Sequence, residues 1–345
     1  MGVILELAEI RRRLDEFEGL IIDHARLRAV FEEVMELLYG SRSVQLIFVA
    51  GPTGIGKSTL IALVLRALRR YYADAITANA GIVPFLSMTC PEHPRGYSLV
   101  DHYDEMLRAM HEPLISDKLA FEEQARVGRG RSYAIEGPRQ SAASSLRHRG
   151  TEVLLMDEGH HMCSLSTPRS WYDQAEALKY FAELTGVRHL IVGTEEVLRL
   201  RDQNPQLKRR SRAIHFKPYG ESKADATAFL EVVKSLMKRC PVRCDFDPDE
   251  RAGYLMLKSL GSPGLIKDLL AQAAHSAVRQ GRTAIRFGDL ESCGLDAADS
   301  KKLSQVIRDG AAVAKQHRAK QPTKPRPGKI KPRLNLLPDP EEVYA

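Results

Sequence analysis

The feature that most constrains this chain is a glycine-rich motif, Gly51-Pro52-Thr53-Gly54-Ile55-Gly56-Lys57-Ser58. It fits the P-loop pattern Gly-x-x-x-x-Gly-Lys-Ser/Thr at every fixed position. An apolar, β-branched run at 44–49 precedes it and predicts a buried strand, and 58–71 carries apolar side chains at helical spacing. A strand, a glycine-rich turn and a helix in this order predict an α/β fold with a phosphate-binding loop at the carboxyl end of the strand.

Each fixed position of the loop has a physical role. The glycines let the backbone curl so that successive N–H groups point at phosphates, and the start of the following helix adds its positive dipole end. Lys57 places a point charge at the β- and γ-phosphates, and the Ser58 hydroxyl is a ligand for Mg²⁺. The sequence therefore predicts ATP and Mg²⁺ as cofactors, with nucleotide contacts from Pro52, Thr53, Gly54, Ile55, Gly56, Lys57, Ser58 and Thr59.

A pair of acids supports this prediction independently. Asp157 and Glu158 directly follow four apolar residues at 153–156, which predict another strand. Carboxylates at the carboxyl end of such a strand face the phosphate loop in an open α/β sheet. We expect Asp157 to hold the water shell of Mg²⁺, and Glu158 to act as general base on the attacking water. Two solvated acids at a strand end are the alternative.

Further candidates lie nearer the carboxyl terminus. Thr194 follows a strand at 189–192 and would hydrogen-bond the attacking water or the γ-phosphate, unless it only caps the strand end. Arg209, Arg210 and Arg212 surround the start of the strand at 212–216, and one of them would act in trans on a neighbour's ATP. A basic surface turn is the alternative for each arginine. His160 and His161 follow the two acids, and we interpret them as local structural or coupling residues rather than metal ligands.

The apolar periodicities predict how the chain is organised. A parallel sheet covered on both faces is predicted by strands at 44–49, 82–89, 153–156, 189–192 and 212–216 and helices at 58–71, 99–110, 139–148 and 171–184. Helices at 223–240, 249–259, 263–280 and from 287 onward form a second region. Two helices at 5–38 break near 22–24, where Asp23 would cap the second. The predicted regions are 1–40 (helical), 41–218 (nucleotide-binding), 219–300 (helical lid) and 301–345 (basic, Pro-rich and disordered).

Composition excludes several classes of protein. No run of about 18 uncharged apolar residues exists, which argues against a membrane-spanning segment. The dense charge of 1–20 is unlike a signal peptide. Five scattered cysteines without zinc-finger spacing favour a reduced, cytoplasmic setting without a structural metal.

The net charge of +7 resides in the tail, because 310–338 holds eight Lys or Arg residues and no acid. That tail would bind DNA or a partner, or only solubilise the chain.

Three further blocks carry a resemblance to a known family. They are residues 154–161 (Leu-Leu-Met-Asp-Glu-Gly-His-His), residues 190–196 (Leu-Ile-Val-Gly-Thr-Glu-Glu) and Pro205-Gln206-Leu207 leading into arginines. With the P-loop, they make 21–277 resemble the TnsC/TniB-type AAA+ regulators of DNA transposition. The resemblance implies an AAA+ P-loop NTPase fold with a parallel five-stranded sheet and a small C-terminal helical lid. It also implies ATP-dependent rings or helical filaments on double-stranded DNA that link a target-selection protein to the transposase, with hydrolysis driving disassembly.

The resemblance also implies roles for individual residues. His24 lies in a segment similar to the family's adenine-binding region. DNA-facing loops would include Lys118, Arg126, Arg129, Arg131 and Arg147, with Arg139 and Arg149 nearby, although interleaved acids also suit a solvated surface. One departure concerns the lid, where Gly264 stands at the position of a nucleotide-sensing arginine in many AAA+ proteins. Lys267, one turn later, is the candidate substitute.

Two other functions fit the same residues. A helicase loader or replication initiator of the IstB/DnaC or initiator type shares the core and serves a different partner. An ATP-dependent signalling or secretion-associated switch would never touch DNA. Neither the P-loop nor the acidic pair separates these three functions.

Overall fold

The computed structural model describes residues 2–40, 43–92, 96–113, 115, 133–164, 168–220 and 222–293. Its centre is a five-stranded sheet whose strands pair in the order β2–β3–β4–β1–β5, every neighbouring pair being parallel. The strands are β1 (Leu46–Ala50), β2 (Phe85–Thr89), β3 (Val153–Asp157), β4 (Arg188–Gly193) and β5 (Ser211–His215). This arrangement confirms the predicted fold class, an AAA+ P-loop fold with a parallel five-stranded sheet.

Helices connect the strands and cover both faces of the sheet. They are α1 (Gly2–Glu18), α2 (Ala25–Tyr39), α3 (Lys57–Tyr71), α4 (Ala73–Ala78), α5 (Leu99–Ala109), α6 (Tyr133–His148), α7 (Pro168–Thr185), α8 (Leu198–Gln203) and α9 (Pro205–Arg209), with 3₁₀ turns at Gly159–Cys163 and Glu195–Val197. Strand β1 is buried along its whole length. Its alternate residues divide between two cores, Phe48 facing one and Val49 the other. Burial on both faces explains the continuous apolar run of this strand.

A helical lid follows the sheet. It consists of α10 (Lys223–Arg239), α11 (Ala252–Ser259), α12 (Pro263–Arg279) and α13 (Phe287–Cys293), with a small sheet of β6 (Arg243–Cys244) and β7 (Ala284–Ile285). Its core contains Phe229, Leu236, Ile266 and Leu270. The predicted lid helices agree with the structure to within three residues at each end, while β6 and β7 were not predicted.

The predicted N-terminal segment 1–40 contributes to two cores. Leu14 and Phe17 of α1 pack with the lid helices, whereas Val34 of α2 packs with α3 under the sheet. The predicted break between the two helices is confirmed. The cap is His24 rather than Asp23, because the His24 ring accepts from Leu27 N while Asp23 pairs with Arg28. Among the described residues, no helix is both long and apolar enough to cross a membrane.

Candidate functional site

A cleft of about 420 Å³ opens at the carboxyl ends of β1, β3 and β4, between the sheet and the lid. It is lined by Thr53, Gly54, Gly56, Lys57, Ser58, Thr59, Asp157, Glu158, His160, His161, Thr194, Gly264, Lys267 and Asp268. The parallel register places Ala50 of β1 beside Gly193 of β4, so the segments that follow these strands meet at one edge. The structure therefore brings together the phosphate loop, the acidic pair and Thr194, as predicted from the sequence.

The phosphate loop has the curled backbone that its glycines predict. Gly54 and Gly56 have φ angles of 77° and 106°, a region that side chains disfavour, and α3 begins directly afterwards at Lys57. Two predicted contact residues point elsewhere. Ile55 is fully buried, and Pro52 contributes its carbonyl oxygen to Lys57 instead of lining the cleft. Their predicted nucleotide contacts could therefore only involve the backbone.

Lys57 is held within the loop. Its Nζ donates to the carbonyl oxygens of Gly51 at 2.9 Å and Pro52 at 3.0 Å. Burial lowers the pKa of Lys57, and the carboxylates of Glu158, Asp157 and Glu195 oppose that shift. Because loop carbonyls bind an ammonium less strongly than phosphate oxygens do, a bound triphosphate would draw this cation into the cleft.

The two acids occupy different environments. Asp157 ends β3, and its Oδ1 accepts the Glu158 N–H at 2.7 Å. Burial raises the pKa of Asp157, although the same hydrogen bond lowers it. Glu158 adopts left-handed backbone angles (φ 51°, ψ 36°), which are unusual for a residue with a side chain and cluster at functional sites.

Ser58 and Asp157 fit the predicted magnesium site. Both line the cleft, and a hydroxyl with a carboxylate is the oxygen donor set that Mg²⁺ prefers. Asp157 Oδ1 is engaged by the backbone, which leaves Oδ2 for the water shell of the ion. When bound, the ion would neutralise charge on the phosphate oxygens. No cluster of three or more His, Cys, Asp or Glu suited to another metal occurs within the described ranges.

Thr194 carries an unpaired buried hydroxyl. It follows β4, which lies between β1 and β3, so it stands between the phosphate loop and the acidic pair. Its Oγ1 has no hydrogen-bond partner in the described part of the chain. A buried hydroxyl without a hydrogen-bond partner lowers the stability of the fold, and such a group is available to hydrogen-bond a ligand or a water molecule. This observation fits the predicted contact with the γ-phosphate or attacking water.

The structure does not bring His24 into the cleft. The ring is buried, its Nδ1 accepts from Leu27 N at 3.4 Å and lies 3.1 Å from Tyr219 Oη, and the ring stacks on Phe216. Burial lowers the pKa of His24 to about 4, so the ring is neutral near pH 7. Its contact with adenine stays a prediction.

The lid closes on the phosphate loop through one carbonyl group. Gly54 O accepts from Gly264 N at 2.9 Å and from Ser262 Oγ at 2.6 Å. A Cβ at Gly264 would lie 3.0 Å from the Gly54 carbonyl carbon and closer still to its oxygen. The approach of the two backbones therefore explains why glycine stands where many AAA+ proteins have an arginine. Sequence reasoning noted this glycine but missed the contact, which joins residues 210 positions apart.

The Lys267 side chain already has hydrogen-bond partners away from the nucleotide site. Its Nζ donates to the carbonyl oxygens of Glu18 and Leu20, at the carboxyl end of α1. Cations at this end of a helix are favoured by the helix dipole. His275, two turns further along α12, pairs with the Glu18 carboxylate at 2.9 Å. Lys267 therefore anchors α1 on the lid, and its predicted role in sensing nucleotide would require it to leave these carbonyls.

The three candidate arginines lie at the opposite edge of the sheet from the cleft. The Arg210 carbonyl accepts from Gln45 N at 3.0 Å, which places it at the amino end of β1. The five residues of β1 span about 16 Å, and Arg212 lies in register with Ile47 near the same end, so none of these arginines is among the residues that line the cleft of its own chain. Arg210 pairs with Glu183, and Arg212 donates to the Ser211 carbonyl at 3.1 Å. Arg209 is exposed and has no side-chain partner within the described ranges.

Most of the predicted DNA contacts, Lys118, Arg126, Arg129 and Arg131, lie outside the described residues, as does the tail from 294 onward. Arg147 is exposed near the end of α6. The two neighbouring arginines make internal contacts: Arg139 pairs with Glu136 and stacks over Tyr180, and Arg149 pairs with Glu112 at 3.2 Å. DNA binding by this region stays a prediction.

Fold and site together have the architecture of an AAA+ P-loop domain. Comparison with known proteins agrees: residues 41–201 match a family model described as an AAA domain. The structure is similar to ORC2 of Aeropyrum pernix in its ADP form, with a TM-score of 0.50 and 15% identity over 82% of this chain and 71% of that one. It is also similar to a Walker-type ATPase of Pyrococcus abyssi, with a TM-score of 0.44 and 15% identity over 87% and 77%. No curated protein sequence matched.

Proposed function

We propose that this protein hydrolyses ATP in a site completed by an arginine from a neighbouring copy. We further propose that the assembly forms on double-stranded DNA and regulates transposition, linking a target-selection protein to the transposase. ATP would hold the assembly together, and hydrolysis would drive its disassembly. The chemistry of the cleft supports the first proposal, and the sequence resemblance supports the second.

The observation that carries the first proposal is the absence of arginine among the described residues lining the cleft. Phosphoryl transfer develops charge on the transferred group, and an arginine from the same or a neighbouring chain commonly stabilises it. The lid cannot supply one at position 264, because the Gly54 carbonyl fills that space. The cations present are Lys57 and Lys267, and Lys267 is held by α1. An incomplete cleft combined with an exposed Arg209 at the opposite edge fits a head-to-tail assembly.

The remaining groups of the cleft suit the hydrolysis step. Glu158 would take a proton from the attacking water as its oxygen bonds to the γ-phosphorus and the bond to the β-phosphate oxygen breaks. Thr194 would donate its unpaired hydroxyl to the γ-phosphate or orient the water. Lys57 and the backbone N–H groups at the start of α3 would bind the phosphates.

The resemblance to transposition regulators favours double-stranded DNA as the molecule on which copies of this protein assemble. The blocks at 154–161 and 190–196 are the ones that frame the cleft, as β3 and β4 with the turns that follow them. A replication-initiator function is the second candidate, because the fold is also similar to that of ORC2 of Aeropyrum pernix. Both functions use DNA, and they differ in the form of the assembly.

Electron microscopy with duplex DNA and a non-hydrolysable ATP analogue tests the proposal. We expect ordered rings or filaments on DNA of unrelated sequences, and none with Lys57→Ala, which removes the phosphate-binding cation. A discrete oligomer that requires one particular DNA sequence would favour an initiator, and no oligomer on DNA would contradict both candidates. Binding through phosphates also predicts an affinity that falls steeply with salt concentration, by a logarithmic slope of about −0.9 per phosphate contact.

A further inference from the structure

His160 stands directly beside the proposed general base. Its Nδ1 lies 3.1 Å from Oε2 of Glu158, and both residues line the cleft. The His160 side chain is 22% exposed and that of Glu158 is 43% exposed, so the histidine is the better fixed of the two. A long carboxylate side chain that is this exposed samples several rotamers unless a neighbour restrains it.

The Nδ1 atom needs a hydrogen-bond partner. It is buried, and it makes no well-aligned hydrogen bond to any described residue. Buried ring nitrogens in proteins are nearly always paired, and the Glu158 carboxylate is the polar group within reach. Catalytic hydrogen bonds are often poorly aligned before the substrate binds and tighten in the complex. A small rotation of the carboxylate would therefore convert this contact into a hydrogen bond.

The position of the His160 ring is itself fixed. His161 lies against it, with 4.7 Å between ring centroids. His161 Nδ1 is 3.0 Å from the carbonyl oxygen of Cys90, at the carboxyl end of β2, so it carries its proton there and donates. The 3₁₀ turn Gly159–Cys163 that bears both histidines starts directly after Glu158. The two rings thus connect the general base to the end of a neighbouring strand.

We propose that His160 is a positioning residue for ATP hydrolysis. Its Nδ1–H donates to Glu158 Oε2 and holds the carboxylate so that Oε1 faces the attacking water. The water proton passes to Oε1, while His160 keeps its own proton throughout. His160 and Glu158 line the same cleft as Lys57, so their contact lies on the side of the site where the phosphates would bind. This proposal rests on the proposed hydrolysis of ATP.

A matched set of variants tests the role of Nδ1. The amide nitrogen of Asn occupies the position of a histidine Nδ1, whereas that of Gln occupies the position of Nε2. We expect His160→Leu and His160→Gln to lower kcat about 10- to 100-fold, which is typical when an orienting partner is lost, with ATP affinity unchanged. His160→Asn should recover kcat to within about threefold of the unmodified protein, since it restores the donor. Steady-state ATPase assays, with equilibrium binding of a fluorescent ATP analogue, measure both quantities.

His111→Asn is the control, because this histidine is exposed, does not line the cleft and has a left-handed backbone (φ 54°) that asparagine tolerates, so ATP hydrolysis should be unchanged. The proposal is wrong if His160→Leu hydrolyses ATP at the unmodified rate or faster. It is equally wrong if His160→Asn is no better than His160→Gln, since the loss would then be structural. Glu158→Gln separates this from the proposed function: rapid hydrolysis by Glu158→Gln would overturn the general base itself, whichever result the histidine variants give.

Discussion

The contact between lid and phosphate loop leads to a prediction for Gly264→Ala. The added methyl group would approach the Gly54 carbonyl, which is backbone and has no flexible side chain to move aside. Either the lid or the loop must shift. Since Gly54 is held at a φ of 77° within the phosphate loop, any shift there disturbs the N–H groups that receive the phosphates.

The structure gives the size of the effect. Overpacking a tight contact by one methyl group costs about 1–3 kcal/mol. The same shift breaks the hydrogen bond from Gly264 N, and a neutral hydrogen bond contributes about 1 kcal/mol. Their combination, about 2–4 kcal/mol, corresponds to roughly a 30- to 1,000-fold weaker affinity if the closed lid is needed for binding. Ser262→Ala removes one hydrogen bond without a clash, so it should weaken binding only about fivefold.

Equilibrium binding of a fluorescent ATP analogue, measured in the absence of hydrolysis, provides the assay. Gly253→Ala is the control, because Gly253 lies in lid helix α11 with nothing within 4 Å of an added Cβ. That variant should keep its affinity and gain about 0.5–1 kcal/mol of stability from the better helix former. If Gly264→Ala bound the analogue within twofold of the unmodified protein, the lid contact would have no part in nucleotide binding.

Three further predictions concern other residues. Thr194→Val should slow ATP hydrolysis at least tenfold. It should also raise the free energy of unfolding by about 1 kcal/mol, because it removes a buried hydroxyl that lacks a partner. Chemical denaturation without nucleotide measures this, and a loss of stability would contradict the prediction. Burial lowers the pKa of His189 to about 4, below its unfolded value near 6.5, so stability present above pH 6.5 should fall as the pH drops toward 4. His189 contributes about 2 kcal/mol of this loss at pH 5, so His189→Asn, which keeps the donor to the Val187 carbonyl, should reduce the loss by about that amount in urea titrations at pH 7.5 and 5. Arg209→Ala should reduce ATP hydrolysis in the assembled protein at least 100-fold. Arg210→Ala should have a smaller effect, because the Arg210 side chain already pairs with Glu183. Equal effects of the two variants in an ATPase assay would contradict the assignment of Arg209 as the residue that acts in trans.

The sequence predicted those parts of the fold that local patterns determine. All five strands of the main sheet were predicted, since short apolar or alternating runs next to turn residues mark them, and the start of α3 followed from the P-loop. Helix α6 begins at Tyr133, six residues before the predicted start at Arg139, because Pro138 is accommodated inside its early turns. Helices α8 and α9, of six and five residues, are too short for their periodicity to be visible.

In the candidate site too, local sequence patterns predicted some residues and could not predict the contacts between distant segments. The phosphate loop, Asp157, Glu158 and Thr194 were predicted because each follows a strand and parallel strands end at one edge. The hydrogen bonds that Gly54 accepts from the lid could not be predicted, since they depend on how α12 docks over a loop far away in sequence. Likewise, the His160 contact depends on the left-handed backbone of Glu158, which no sequence pattern indicated.

The central claim is that one copy completes the nucleotide site of the next. The most direct measurement mixes Glu158→Gln, which lacks the base but keeps its arginine, with Arg209→Ala, which lacks the arginine but keeps the base. Each variant alone should hydrolyse ATP slowly under assembly conditions. In an equal mixture with head-to-tail contacts, about one interface in four joins an intact base to an intact arginine, so roughly a quarter of the unmodified rate should return. A mixture that only adds the two residual rates would contradict the account.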